Sequence, residues 1–151
     1  MKTVLLIGTD HAYQHPGAPG EKFSVVIEGS CQQYAIALIA EEMSLDALHP
    51  QTESICKLVA DATGIPHMYC DPSVEEQKAL GIEEPGKKGD PEADAIREHH
   101  WFEYIRKQNS WSVLFICGDA HTESFRDLLR ANDIAVHVLC KRWRRPEDWL
   151  L

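Results

Sequence analysis

The sequence has no apolar run approaching the roughly 20 residues that span a bilayer, so no membrane span is expected. Its opening, Met1-Lys2-Thr3-Val4-Leu5-Leu6-Ile7-Gly8, is too short for a signal peptide core and runs straight into a polar stretch. It reads as a first core strand, and the expected location is cytoplasmic. Cys-x-x-Cys pairing is also lacking. The five cysteines, at 31, 56, 70, 117 and 140, are odd in number, which points to buried free thiols rather than a disulfide framework or structural zinc site. Positive charge is scarce: the formal net charge is −9, which repels phosphates and argues against nucleic-acid binding. No Gly-x-Gly-x-x-Gly and no Walker sequence occur, so standard dinucleotide and P-loop binding are not expected. Internal repeats and low-complexity segments are missing too.

What is present is a hydrophobic content of 44% in 151 residues, enough to bury one core and consistent with a single α/β domain over 1–151. Five near-continuous apolar runs, 3–8, 36–41, 65–70, 112–117 and 134–140, read as strands covered on both faces. Between them the sequence predicts helices over 22–33, 52–63, 91–108 and 122–132. Gly64 supplies a stop for the second, Asp90-Pro91 opens the third, and Phe125, Leu128 and Leu129 give the fourth its apolar face. Gly29 weakens the first. The alternation predicts a mainly parallel, doubly wound, Rossmann-like sheet of about five strands with helices on both faces. Two loops, 12–21 and 81–90, interrupt it and could serve as lids.

In such a sheet the C-terminal strand ends share one edge, where ligands bind. The ends read Gly8-Thr9-Asp10-His11, Glu41-Glu42-Met43-Ser44, Asp71-Pro72-Ser73, Gly118-Asp119-Ala120-His121 and Lys141-Arg142. Two are Gly-x-x-His turns, in which glycine permits a tight turn and histidine can bind a metal or carry a proton near neutral pH. A strand order 3-2-1-4-5 would set His11 and His121 facing each other. Of Glu41 and Glu42, one side chain is expected in the site, since neighbours alternate. Asp71 could cap a helix starting near residue 73, or join the site. His15 is a candidate for the pocket wall, whereas His49, His67 and His137 read as ordinary loop or strand residues. Helical spacing aligns Arg97, Trp101 and Tyr104, so that Arg97 could pair with the acids or hold an anionic substrate. His99 and His100 are adjacent and cannot share a helix face as a metal pair. The basic cluster Lys141-Arg142-Trp143-Arg144-Arg145 reads as a solvated tail or oligomer contact, with an anion-binding edge as the alternative. The apolar stretch 143–151, with Trp143, Trp149, Leu150 and Leu151, could pack on the core or on a second subunit of a homodimer.

Arg97-Glu98-x-x-Trp101-x-x-x-Ile105, Val113–His121, Phe125–Leu129 and Ile134-Ala135-Val136, taken with the two Gly-x-x-His turns and the Glu pair, resemble the TraB/Tiki superfamily. That superfamily includes erythromycin esterase-like and ChaN-like proteins. The resemblance implies a metal-dependent hydrolase in some members. This chain is shorter, lacking the large helical insertion, and carries Asp10 and Asp119 inside its turns. On this reading His11, His121 and Glu41 or Glu42 would bind zinc, manganese, cobalt or iron, whose bound water becomes a nucleophile. A second acid of the pair would act as general base, and Arg97 would hold or polarise the substrate. Asp10, Tyr13, Asp71 and Asp119 would contact a small-molecule or peptide substrate. A metal-free version, with Glu and His as acid and base directly, stays open. So do a module that binds or senses a nucleotide or other small molecule, and an interaction protein with a decayed site.

Overall fold

The computed structural model describes residues 1–145. Five strands, β1 (Thr3–Thr9), β2 (Leu38–Glu41), β3 (His67–Tyr69), β4 (Val113–Gly118) and β5 (Ala135–Trp143), form one all-parallel sheet in the order β3-β2-β4-β1-β5. The α/β doubly wound expectation holds, with one correction: β4, not β1, lies beside β2. The five helices are α1 (Ala18–Gln33), α2 (Ile55–Thr63), α3 (Val74–Ala79), α4 (Pro91–Arg106) and α5 (Thr122–Ala131).

The central strands β1 and β4 are almost wholly apolar and buried because each packs on two sides. Leu5, Ile7, Ile39, Leu114 and Ile116 face α1 and α2, meeting Phe23, Ile27 and Val59. Val4, Leu6, Val113, Phe115 and Cys117 face α4 and α5, meeting Trp101, Ile105, Phe125 and Leu129. Alternate residues thus enter opposite cores, as strand geometry requires. Cys31, Cys56, Cys70 and Cys117 are free thiols, with Cys56, Cys70 and Cys117 buried.

Helix boundaries follow local chemistry. The first helix starts earlier than expected, taking residues 18–21 from the Pro/Gly-rich loop, because proline tolerates the first turn. Ser54 caps α2, its hydroxyl accepting from the Lys57 N–H, so the helix starts at Ile55 rather than at 52, and Gly64 closes it at φ 72°. Asp71 does not cap α3. Ser73 does, in a reciprocal capping box with Glu76, which leaves Asp71 available elsewhere. Asp90 accepts from the N–H groups of Glu92 and Ala93 at the start of α4.

The winding locates the crevice. From β2 the chain moves outward to β3 through α2 on one face. From β4 it moves the other way, to β5, through α5 on the opposite face. These adjacent strands diverge, so the crevice opens between the ends of β2 and β4. The last strand is longer than expected and irregular, shifting register against β1 twice. Its end turns inward to bury Trp143 against Phe23, with ring centroids 5.0 Å apart.

Candidate functional site

Glu42 follows β2 directly and stands at the crevice, its side chain buried. One oxygen, Oε1, accepts the Gly118 N–H at 2.8 Å. The other, Oε2, accepts from Arg97 and lies 3.4 Å from Nε2 of His11 and 3.5 Å from Nε2 of His121. The strand ends therefore bring the two Gly-x-x-His turns onto one carboxylate oxygen. His11 is half exposed, whereas His121 is buried.

Each histidine is anchored at its other nitrogen. His121 Nδ1 is 2.9 Å from Glu98 Oε2, an oxygen that also accepts the Ser124 hydroxyl at 2.8 Å. His11 Nδ1 is 2.7 Å from Gln14 Oε1. The Gln14 amide orientation is dictated by its own partners: its Nε2 donates to Glu41 Oε1 at 3.0 Å and to the Glu42 carbonyl at 3.2 Å, both acceptors. Its oxygen therefore faces His11, and Nδ1 must be the donor. In both rings Nδ1 carries hydrogen, and Nε2 is the atom presented to Glu42.

Two unprotonated Nε2 atoms would place lone pairs against an anionic oxygen, so this geometry favours imidazolium. The hydrogen bond to Glu42, outweighing the loss of hydration, raises the His11 pKa from 6.5 to about 9. Burial alone would raise that of Glu42. The His11 hydrogen bond and the charges of His11, His121 and Arg97 overcome it and hold the carboxyl at about 2. Burial also opposes charge on His121, but Glu98 and Glu42 prevail and its pKa is raised.

Arg97 joins the acids from α4. Its guanidinium reaches Glu42, donates from Nε to Asp71 Oδ1 at 3.0 Å, and lies 3.6 Å from Asp94. Asp71 also accepts the Trp101 indole N–H at 2.9 Å. The expected Arg97–Trp101–Tyr104 face is corrected at its end. The functional stripe is Asp94, Arg97, Glu98 and Trp101, at helical spacing, whereas Tyr104 is exposed and meets the His100 ring.

Glu41 points to the other face of β2, towards α2. Its Oε2 accepts the Ser54 hydroxyl at 2.5 Å and lies 2.5 Å from Nε2 of His67. It thus stands apart from His11 and His121, for the reason that consecutive strand residues point oppositely. His67 is correspondingly more than an ordinary strand residue. Tyr13 packs edge-on against Trp143 at 5.1 Å rather than at the cavity. Asp10 caps the short turn His11–Gln14 through the Ala12 N–H. Asp10 and Asp119 share Arg144, at 3.5 and 2.7 Å, and Asp119 also meets Arg142 at 3.3 Å. The basic cluster is therefore tied in part to the two histidine turns rather than forming only a solvated tail. Trp149, Leu150 and Leu151 lie outside the described residues.

A cavity of about 580 Å³ opens over the cluster. Asp10, His11, Asp71, Asp119 and His121 line it with Glu42 and Arg97, and His15 does as well. The loop 81–90 forms part of the wall, contributing Ile82, Lys87 and Lys88.

Gln14, Glu98, Asp94 and Ser124 escaped the sequence reading. Glu98 and Asp94 had a usable signal, the helical spacing from Arg97. Gln14 had none, since its role depends on contacts with β2, far away in the chain.

The cluster suits a divalent ion poorly. Of the two Glu42 oxygens, one is bound to a backbone N–H and the other to a guanidinium, so a cation there would be repelled by Arg97. Among the described residues no group of three or more His, Cys, Asp or Glu is arranged as a metal-holding set. Among the described residues, too, no helix is long and apolar enough to cross a membrane. In comparisons with known proteins, no family model, no curated protein and no solved structure matches this chain.

Proposed function

We propose that the protein is a small hydrolase of acyl bonds that works by acid–base chemistry on His121 and His11, without a metal. One observation carries this reading: two histidines, each anchored through Nδ1, present Nε2 to a single buried carboxylate oxygen at a cavity wall. Acid and base catalysts need ring and tautomer held in this way, with Nε2 at the cavity, where a ligand can replace its contact with Glu42.

The roles follow from the surroundings. His121, backed by Glu98, takes a proton from water at Nε2 when its ring is neutral. The hydroxide oxygen bonds to the acyl carbon, and Arg97 and the His11 imidazolium stabilise the negative charge that develops on the acyl oxygen. The bond to the leaving group then breaks, and His11 Nε2 gives that group a proton. The products are a carboxylic acid and an alcohol or amine. Return of one proton to His11 and release of one from His121 restore the start. Glu42 holds the cations together and is not consumed.

The cavity volume suits a small molecule better than an extended peptide. A binding or sensing module is the second reading, favoured by Lys87 and Lys88, which line the cavity along with Arg97. The TraB/Tiki resemblance remains part of the proposal, as motifs shared in order along the chain.

A panel of chromogenic acyl esters, offered to purified protein with and without chelator, tests the reading. Turnover that survives chelation and falls at least about 100-fold in His121→Gln, as removal of a general base should cause, is the expected result. Activity restored only by added zinc, manganese, cobalt or iron would reinstate the metal-assisted mechanism. No turnover, with thermal stabilisation by small carboxylates or nucleotides, would favour the binding module.

A further inference from the structure

A chain of hydrogen bonds runs beneath the site from the opposite face of β2. Ser54 and His67 bind Glu41 Oε2, Glu41 Oε1 receives Gln14 Nε2, and Gln14 Oε1 meets His11 Nδ1. Ser54, Glu41 and Gln14 are completely buried, and the His67 side chain is nearly so. No substrate reaches them. They meet the cavity lining through His11 and the Glu42 backbone.

The arrangement has a chemical direction. Glu41 Oε1 and the Glu42 carbonyl both accept, so they occupy both hydrogens of the Gln14 amide. Reversing that amide would put its oxygen against a carboxylate and a carbonyl oxygen in a dry interior, a costly arrangement. Gln14 Oε1 can then only accept from His11.

We infer that Gln14 is a positioning residue for His11: Glu41 and the Glu42 carbonyl orient its amide, and the amide oxygen keeps hydrogen on Nδ1, leaving Nε2 for the cavity. Ser54 and His67 serve by holding Glu41 in place. Around the ring, Glu42 Oε2 faces Nε2 at 3.4 Å and is already bound by Arg97, whereas Gln14 Oε1 lies 2.7 Å from Nδ1, so in the neutral ring the shorter contact decides which nitrogen keeps its hydrogen. The significance for catalysis rests on the hydrolase reading above. The positioning itself needs no substrate to measure.

The experiment is long-range proton–nitrogen correlation of ¹⁵N-labelled imidazoles, which reports which nitrogen carries hydrogen. On the alkaline side of the His11 titration, the wild-type ring should be almost wholly in the Nδ1–H form. In Gln14→Leu, of similar size but without an acceptor, that form should become the minority. Glu41→Gln, which frees the amide to reverse, should give a mixture although residue 41 does not touch His11.

A wild-type ring mainly in the Nε2–H form would overturn the inference, as would an unchanged Nδ1–H population in Gln14→Leu. Should the leucine variant not fold, the wild-type tautomer and Glu41→Gln still decide. An Nδ1–H ring in a protein that hydrolyses no ester would sink the hydrolase reading and leave the positioning intact.

Discussion

A methyl group at Gly118 would stand 2.9 Å from Nε2 of His11, closer than ordinary contact allows. The glycine of the second Gly-x-x-His turn thus makes room for the histidine of the first. Gly8 makes room differently: a methyl group there would meet the Lys141 carbonyl oxygen and the Thr122 hydroxyl, both at 2.2 Å. Gly118→Ala should fold with a loss of less than about 1 kcal/mol, since a half-exposed side chain can swing away, but it should lose His11 from Glu42 and with it most turnover. Gly8→Ala should cost on the order of 1–3 kcal/mol, because strand backbone must move. Urea unfolding beside ester turnover separates the two; equal stability losses would refute the distinction.

Stability should depend on pH with opposite signs at its two limits. His11 rises from 6.5 to about 9 on folding, so its contribution is complete below pH 6.5 and disappears as the pH climbs through about 9. His121 is raised as well and acts in the same sense. Glu42 is lowered from 4.5 to about 2, so its contribution is present above pH 4.5 and vanishes as the pH falls through about 2. Unfolding midpoints across pH should therefore peak between these limits, and His11→Asn should flatten the alkaline decline.

Turnover should follow a bell of its own. The acid limb reflects loss of the proton from His121, whose pKa lies above the ordinary 6.5, and the alkaline limb reflects His11 near pH 9. A profile that keeps rising well beyond pH 9 would remove His11 as proton donor.

Arg97→Ala should destabilise by about 3 kcal/mol, since it leaves Asp71 inside the protein without its cation and Glu42 with the two histidines alone. Burial already raises the Asp71 pKa despite Arg97, so its carboxyl should take up a proton more readily in the variant. Arg97→Lys keeps the charge but not the fork, and should recover only part of the loss. Denaturant titration of the three proteins measures this; a neutral Arg97→Ala would contradict the packing described.

Arg144 bridges Asp10 and Asp119 on the surface, so Arg144→Ala should change stability by less than about 1 kcal/mol. Its effect should appear as weaker turnover that no longer varies with salt, because the bridge ties together the two turns that carry the histidines. Salt dependence equal to that of the wild type would show that the bridge does not steady them.

By itself the sequence determined the α/β class, the five strands, the glycine stop at Gly64, the Asp90-Pro91 start and the presence of His11 and His121 at strand ends. Those are matters of local periodicity and backbone preference, which a chain carries from residue to residue. Strand order was decided only in the folded molecule: β4 beside β2 depends on which apolar faces bury each other, and near-continuous apolar strands look alike in sequence. That order in turn settled the parts of the two glutamates, turning Glu42 to the histidines and Glu41 to Ser54 and His67. It also brought Gln14 beneath His11 and Glu98 behind His121. The two Gly-x-x-His turns announced an edge that carries two histidines; the pairing of charges across chain-distant elements decided which atoms meet there.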